Sequence, residues 1–337
     1  MKDKKQNKRI NGGHRLLFFC ILCLFGLYVA VSYAEEQPQR EQSKTKVILL
    51  HTDNLTYDQY RHPGAQILTG NVQFQHDGVL MYCDSACFYE ATNSFDAFGH
   101  VKMVQGDTLD LVGDMLLYNG LDQLARVRHN VVLTHRESKL YTDSLDYDRL
   151  YELGYFFEGG RLVDKDNVLT SDWGQYSPPT RQAVFNYNVK LENPKFTLIS
   201  DTLNYNTQTS MAEIVGPSNI DSGDNHIYSE SGFYNTQTEE AILLDRSIVT
   251  NKGRKMVGDS LYYDSKSGVG EGFRNVVYTD EVNKNMLTGN YCYYNDSTGY
   301  SMATDSAVAI DYSQRDTMYM HADTFKVYTF YMDTDSI

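Results

Sequence analysis

A short motif returns along most of this chain at a nearly constant interval. Its clearest copies, Asp143–Asp148, Asp201–Asn206 and Gly258–Asp264, each carry Leu and then Tyr at alternate positions. Ten copies begin with a polar residue, at Asp53, Asp84, Asp114, Asp143, Asp172, Asp201, Glu230, Asp259, Asn290 and Asp323. The residue four positions after each leading residue is aromatic in nine copies, and these residues are spaced 31, 30, 29, 29, 29, 29, 29, 31 and 33 apart. This periodicity indicates a protein built from stacked repeats.

Each copy has the alternation of a β-strand. Leu261 and Tyr263 fall on one face of an extended chain, while Ser260 and Tyr262 fall on the other. A second short apolar run follows most copies, as at 70–74, 99–103, 129–133, 186–191 and 272–277. Asn, Asp, Ser, Thr and Gly fill the segments between the runs, which is typical of turns. The sequence therefore predicts a nearly all-β chain with two strands and two turns in each repeat of about 29 residues.

The first part of the chain has the layout of an export signal. Residues 1–15 are basic, residues 16–31 are apolar, and Ser32-Tyr33-Ala34 places small residues where a signal peptidase cleaves. We expect residues 1–34 to be a signal peptide; the alternative is an uncleaved membrane anchor. Residues 35–46 are polar and predict a short disordered lead-in, so the repeat domain spans 47–337.

The charge of the chain limits its partners. It carries 44 Asp and Glu against 30 Lys and Arg, a net charge of −14, and loss of residues 1–34 would make it more negative. Such a chain repels nucleic acid, so no nucleic-acid partner is expected. The acids recur at turns and strand starts, which favours solubility and protection of sheet edges. A calcium site is the alternative, but the Gly-rich calcium nonapeptide is absent, and no metal is predicted.

No motif of catalysis stands out. The sequence lacks His-Glu-x-x-His, Cys-x-x-Cys and Gly-x-Ser-x-Gly, and nothing in it calls for a cofactor. Cys83 and Cys87 are about 13 Å apart if they share one strand, which is too far for a disulfide. We expect Cys83, Cys87 and Cys292 to be free thiols, and the protein not to be an enzyme.

The aromatic content shows what fills the interior. With 27 Tyr and 15 Phe in a chain of mean hydropathy −0.47, aromatic side chains must supply much of the core. Stacked two-strand repeats bury their apolar columns between two facing sheets. Sheets that meet fully give a sealed solenoid, whereas sheets that splay leave an apolar groove.

Two stretches resemble a known family. Gly70-Asn71-Val72 followed by a strand, and above all Val101–Asn119 with its Gln105-Gly106 and Gly113-Asp114 steps, are similar to the OstA-like family, which includes the lipopolysaccharide transport protein LptA and periplasmic domains of LptC and LptD. The resemblance is strongest over about 47–135 and continues as repeats to about 330. It implies a β-jellyroll of stacked antiparallel strands with an apolar interior groove that shields lipid A acyl chains in the periplasm.

The resemblance also implies partners and a site. Lipopolysaccharide is the expected ligand, and other jellyroll proteins of the transport system, or further copies of this chain head to tail, are expected at the terminal strand edges. The groove lining is predicted on the inward columns: Leu55, Tyr57, Val72, Phe74, Phe88, Val101, Met103, Leu116, Tyr118, Val131, Leu133, Leu145 and Tyr147. Ordinary core packing is the alternative interpretation of each.

Three classes of function remain open on the sequence. The first is a lipid-conducting transport module. The second is a structural or adhesive solenoid of the cell envelope, which needs no groove and has a continuous sealed core. The third is a β-helical carbohydrate-active enzyme, which would place a cluster of acidic or basic residues at one break in the repeat, and no such break is visible.

Overall fold

The computed structural model describes residues 45–328, and the regular structure in this range is β-strand apart from one 3-10 helix at Glu90–Thr92. The predictions for residues 1–34 and 35–44 lie outside the described residues. The strands are β1 Ile48–His51, β2 Asn54–Thr56, β3 Gln66–His76, β4 Val79–Tyr89, β5 Ser94–Gln105, β6 Leu109–Asn119, β7 Leu124–His135, β8 Ser138–Asp148, β9 Leu153–Phe156, β10 Gly160–Asp164, β11 Asn167–Ser171 and β12 Trp173–Ser177. They continue with β13 Gln182–Asn193, β14 Phe196–Asn206, β15 Met211–Ser222, β16 Asn225–Asn235, β17 Glu240–Leu244, β18 Ile248–Asn251, β19 Arg254–Val257, β20 Ser260–Asp264, β21 Val269–Asp280, β22 Asn285–Asn295, β23 Tyr300–Asp311 and β24 Met318–Tyr328.

The chain runs back and forth as an antiparallel meander. Each pass pairs only with the pass before it and the pass after it, so β3, β4, β5 and β6 are neighbours in that order. Some passes are interrupted in the middle: β9 and β10 both pair with β8, and β17 and β18 both pair with β16. Two passes make one repeat, which confirms the predicted two strands and two turns.

Every pair of passes is bent at its middle. The register between β5 and β6 shifts between Phe98 and Val101, and equivalent shifts recur in the other long pairs. The bend separates two sheets. Sheet A contains segments such as Ser94–Phe98 with Met115–Asn119, and sheet B contains segments such as Val101–Gln105 with Leu109–Gly113. The inward faces of both sheets belong to one continuous core, so the fold is an all-β jellyroll.

The bend, which we call the corner, is built from residues with left-handed backbone. His129 and Asn130 have φ of 62° and 53°, and Gly99 and His100 have φ of 74° and 44°. Gly and Asn adopt this conformation more readily than other residues. The Gly70-Asn71 step that the sequence placed at the start of a strand is therefore a corner within β3, where Gly70 has a φ of 82°.

The leading Asp of the repeat holds the corner. The Asn130 amide donates to the Asp114 carboxylate at 2.6 Å, and Asn275 donates to Asp259 at 2.7 Å. The same contact recurs at Asn71 with Asp53, His100 with Asp84, and Asn188 with Asp172. These acids thus have a defined local role in addition to keeping the surface charged.

The inward face of sheet A alternates large and small side chains. Ala183 of β13 lies directly opposite Tyr176 on one side and Tyr205 on the other. Ala125, Gly154, Ala212 and Ala241 occupy equivalent positions between tyrosines of adjacent strands. A small residue on the next strand leaves room for each tyrosine ring, and Phe95 opposite Tyr118 is an exception in which two rings pack at 5.2 Å.

Candidate functional site: the interior and its seam

Eleven of the thirteen predicted groove residues form the core of the jellyroll. Val72, Phe74, Phe88, Val101, Met103, Leu116, Tyr118, Val131, Leu133, Leu145 and Tyr147 are all buried, none more than 5% exposed. The other two lie at the first pass. Leu55 is opposite Leu68 but is 43% exposed, since it lies on the first described pass, and Tyr57, beyond the end of β2, is 63% exposed. Lipid binding by these residues stays a prediction.

The side of the jellyroll opposite the corners is where the turns of the two sheets meet, and we call it the seam. Turns 149–152 and 178–181 of sheet A there lie beside turns 106–108 and 136–137 of sheet B. Within one sheet, successive turns are joined by backbone bonds: Arg136 N donates to Thr108 O at 3.0 Å, and Thr207 N donates to Arg181 O at 3.0 Å. The edge of each sheet is therefore continuous along the seam.

A column of tyrosines reaches from sheet A across the interior. Its seven members are Tyr118, Tyr147, Tyr176, Tyr205, Tyr234, Tyr263 and Tyr294. Five of their hydroxyls bond to polar side chains at the edge of sheet B: Tyr118 with His76 at 2.7 Å, Tyr176 with His135 at 2.7 Å, Tyr205 with Asp164 at 2.8 Å, Tyr263 with Asn225 at 2.8 Å, and Tyr294 with Arg254 at 2.6 Å. The column closes the seam from inside.

Outside this column, side chains of the turns also bridge the seam. Lys195 and Glu239 form an ion pair at 2.6 Å, and Arg254 pairs with Asp296 at 2.6 Å. Gln123 donates to Asp77 at 2.9 Å. Arg149 is buried next to the bridge of Gln123 with Asp77 and donates to both the Tyr118 hydroxyl and the His76 carbonyl. The three bridges between turns link residues 42 to 46 positions apart in the sequence.

The seam differs from the rest of the jellyroll in what joins its two sides. Around the corners the sheets share their strands, and along each sheet the strands share ladders of backbone hydrogen bonds. Across the seam, no backbone-to-backbone hydrogen bond is present within residues 45–328. The two sheets can therefore separate along the seam without loss of any strand pairing.

Two tyrosines of the column lack a partner. The hydroxyls of Tyr147 and Tyr234 are buried and make no hydrogen bond, and the side-chain carbonyl oxygen of Gln105 is in the same state. Tyr147 is fully buried. A buried hydroxyl without a partner costs free energy, so these two positions contribute less to closing the seam than the other five.

Burial controls the charge of the histidines at the seam. It lowers the pKa of His76 below the ordinary value, with Arg149 acting in the same direction and Asp77 against it. The pKa of His135 is lowered first by burial and then by the positive charges of Arg136 and Arg181. Both imidazoles are therefore neutral at pH 7, the form in which one ring nitrogen accepts a hydrogen bond and the other donates.

The interior is filled by side chains. A cavity of about 20 Å³, lined by residues including Val249, Met256 and Tyr278, has room for about one water molecule. Cys83, Cys87 and Cys292 are buried free thiols, and burial raises the pKa of Cys83 and Cys292 to about 12. These thiols are packing residues without the thiolate character that reactivity requires.

The last described strand leaves its inward face uncovered. β24 pairs with β23 on one side, and no described strand pairs with its other edge. Its side chains Met318 and Met320 lie opposite Asp311 and Ala309 on the inward side, and they are 50% and 37% exposed. Within the described residues, the inward side of β24 is therefore only partly covered.

Between residues 45 and 328, no three His, Cys, Asp or Glu side chains are arranged to bind a metal ion. No helix in that range has the length and apolar character needed to cross a bilayer.

Sequence reasoning missed the partners of the tyrosine column. His76, His135, Asp164, Asn225 and Arg254 read as scattered polar residues because no fixed motif contains them. The signal in the sequence is that each of them lies 38 to 42 residues before a tyrosine of the column. That separation becomes a contact only when the passes are stacked in the fold.

These features define a class of protein: a two-sheet jellyroll with an apolar interior, one side of which is closed by side chains alone. The chain belongs to the OstA-like protein family, which it matches over residues 44–201 and 197–259, almost two thirds of its length.

Similarity to individual proteins is weaker. Among solved structures, the chain is similar to LptH, the LptA homologous periplasmic component of the conserved lipopolysaccharide transport device from Pseudomonas aeruginosa. The two are 16% identical, with a TM-score of 0.30, over 32% of this chain and 82% of that one. No curated protein matches the chain.

Proposed function

We propose that this protein is a periplasmic lipopolysaccharide transport or assembly protein that shields lipid A acyl chains between the inner and outer membranes. Membership of the OstA-like family supports the transport class. The observation that carries the mechanism is the seam, which only side chains close. An acyl chain that enters there reaches the predicted lining residues without breaking a strand ladder.

The energetics of this exchange are favourable. Opening one position of the seam breaks about one hydrogen bond of the tyrosine column, a net cost of about 0.5–1.5 kcal/mol. Burial of an acyl chain contributes about 0.8 kcal/mol for each CH₂, or on the order of 10 kcal/mol for a chain of about fourteen carbons. The acyl chain also covers the apolar side chains that opening exposes. No catalytic residue, cofactor or metal is required.

The ends of the stack suit partner proteins. The edge of β24 that pairs with no described strand offers backbone groups and an apolar inward face, which can accept a further strand pair. We place other jellyroll proteins of the transport system, or another copy of this chain head to tail, at such edges. The acyl chains would then pass from one interior to the next.

Photocrosslinking in cells tests the proposal. A photoreactive phenylalanine analogue is placed at Tyr147, whose hydroxyl has no partner, and at Tyr141 of the same strand, whose side chain faces outward and is 37% exposed. We expect a crosslink to lipopolysaccharide from position 147 and none from position 141. No crosslink from position 147 in folded, exported protein would remove the transport proposal.

A second function is favoured by one observation. Side chains form one continuous packed core along the described residues, which is what a non-catalytic structural or adhesive β-solenoid of the cell envelope needs. Such a protein would keep its seam closed at all times. Absence of the lipopolysaccharide crosslink, with normal export, is the result that this alternative predicts.

A further inference from the structure

The bridges across the seam follow a regular offset in the sequence. A turn residue of sheet B contacts a residue 42 to 47 positions later in a turn of sheet A: Asp77 with Gln123, Gln105 with Glu152, Lys165 with Ser210, Lys195 with Glu239, and Arg254 with Asp296. In two of the five bridges the partners have opposite charges. Between the second and third bridges, the same offset brings together Arg136 and Arg181.

This position is the exception, because both partners are cations. Arg136 and Arg181 line one cavity of about 250 Å³ at the seam, and the positive charge of each acts on both His135 and Tyr176. Within residues 45–328, neither guanidinium has a carboxylate partner within 4.0 Å; the ion pairs present there involve other basic residues. Two cations therefore face each other across a gap that opposite charges bridge elsewhere.

The acids in this cavity do not neutralise the pair. Asp164 is buried and already accepts hydrogen bonds from Ser138 and Tyr205, each at 2.8 Å. Glu137 also lines the cavity but is exposed and forms no ion pair with either arginine. Arg136 is exposed and Arg181 is half-buried, so solvent or a bound anion is left to solvate the two guanidinium groups.

A second observation points to a ligand at the same place. Arg136 and Arg181 also line an adjoining cavity of about 510 Å³. The walls of that cavity include Tyr147, whose fully buried hydroxyl has no hydrogen-bond partner, and Gln105, whose buried side-chain oxygen has none either. Two side chains with buried, unpartnered polar atoms thus border the cavity that the two arginines share.

We propose that Arg136 and Arg181 form a binding site for a phosphate monoester, which bridges the two guanidinium groups and completes the closure of the seam at this position. Guanidinium groups bind phosphate oxygens through paired, charge-assisted hydrogen bonds. The surrounding protein is strongly acidic, so a site for an anion requires such a local concentration of positive charge. Inorganic phosphate and the headgroup of an amphipathic lipid share this chemistry, and the site stands on these residues whether or not the interior carries lipid.

Two measurements on the purified protein distinguish inorganic phosphate from a lipid headgroup as the ligand. The first is calorimetric titration with inorganic phosphate at low ionic strength. The second is flotation with phosphatidylcholine vesicles that contain phosphatidic acid, compared with vesicles of phosphatidylcholine alone. Binding in the first arm identifies soluble phosphate as a ligand, and binding only to the vesicles with phosphatidic acid identifies a lipid headgroup. No binding in either arm overturns the proposal.

Variants test the residues. Arg136→Ser with Arg181→Ser is expected to weaken binding about tenfold or more, since each lost contact is a hydrogen bond to a charged group. The matched control is Arg61→Ser with Arg315→Ser, which makes the same change of charge at exposed turn positions that line neither cavity. Equal losses in both double variants would indicate a general charge effect and overturn the site.

A charge reversal provides an independent readout. Arg181→Glu gives this position the arrangement of Lys195 with Glu239, so the variant is expected to lose phosphate binding and to unfold at a temperature no lower than the wild type. Because its stability is retained, loss of binding cannot be ascribed to misfolding. Wild-type phosphate affinity in Arg181→Glu would contradict the proposal, whatever the photocrosslinking of the interior shows.

Discussion

The hydroxyl of Tyr118 in sheet A lies 2.7 Å from Nδ1 of His76 in sheet B, and the Arg149 guanidinium donates to the same hydroxyl. Tyr147, the next tyrosine of the column, has the same burial and no partner for its hydroxyl. A comparison of Tyr118 with Tyr147 therefore distinguishes two contributions to stability. One is the packing of the tyrosine ring in the core, and the other is the closure of the seam by the tyrosine hydroxyl.

Tyr118→Phe is expected to destabilise the protein by about 1–3 kcal/mol, because it leaves His76 and Arg149 buried without their partner. Tyr147→Phe removes a hydroxyl that makes no bond, so its free energy of unfolding should be unchanged or slightly higher. Urea denaturation of both variants measures the difference. Equal effects of the two substitutions would show that the hydroxyl of Tyr118 does not hold the seam.

The buried histidines predict a dependence of stability on pH. Burial lowers the pKa of His76 and His135 in the folded protein, while in the unfolded chain each has the ordinary value of 6.5. Just below that value the unfolded chain binds more protons than the folded one, so folding stability is fully present above about pH 6.5 and falls as the pH decreases further.

Thermal unfolding between pH 7.5 and pH 5, the range in which histidines ordinarily titrate, measures how folding stability depends on pH. The double variant His76→Gln with His135→Gln should have a flatter profile in that range. His321→Gln, an exposed position on β24, is the control and should keep the wild-type slope. A double variant as sensitive to pH as the wild type would assign the effect to other groups.

The period of the repeat was sufficient to predict the fold class and the inward columns. Alternation is a local property, so Val72 and Phe74, or Leu145 and Tyr147, could be assigned to the interior from their immediate neighbours. The contacts across the seam could not be predicted in this way. His76 of β3 meets Tyr118 of β6 only because β4 and β5 stack between them, and no short window of sequence contains both.

The contacts at the corner have a regular spacing in the sequence, but the sequence analysis gives the leading acids a different role. The leading acids were assigned to solubility and edge protection, yet Asp114 and Asn130 are 16 residues apart, and so are Asp259 and Asn275. What obscured this spacing is that the corner accepts several residue types, such as Tyr187 before Asn188. Left-handed backbone at a tyrosine is imposed by the register of the neighbouring strands, which a sequence pattern does not display.

The left-handed backbone at the corner predicts which substitutions there cause strain. Asn130 is exposed and has a φ of 53°, so Asn130→Ala should destabilise the protein by about 1–2 kcal/mol, while Asn130→Gly should cost only a few tenths. Asn219→Ala, at an exposed strand position with ordinary backbone, is the control and should be nearly neutral. Chemical denaturation of the three variants ranks them, and an alanine as well tolerated as glycine at position 130 would contradict the strain argument.

The alternation of tyrosine with small residues predicts where the core resists larger side chains. Ala183 is 1% exposed and lies between Tyr176 and Tyr205 on the adjacent strands. Ala183→Leu should therefore cost about 1–3 kcal/mol, because the added carbons meet two rings whose positions the strand ladders fix. Val184→Leu, the adjacent outward position, enlarges a side chain that faces solvent and should be nearly neutral. Urea denaturation compares the two, and a neutral Ala183→Leu would mean that the sheets separate enough at this pass to admit the extra volume, as a lipid-bearing interior also requires.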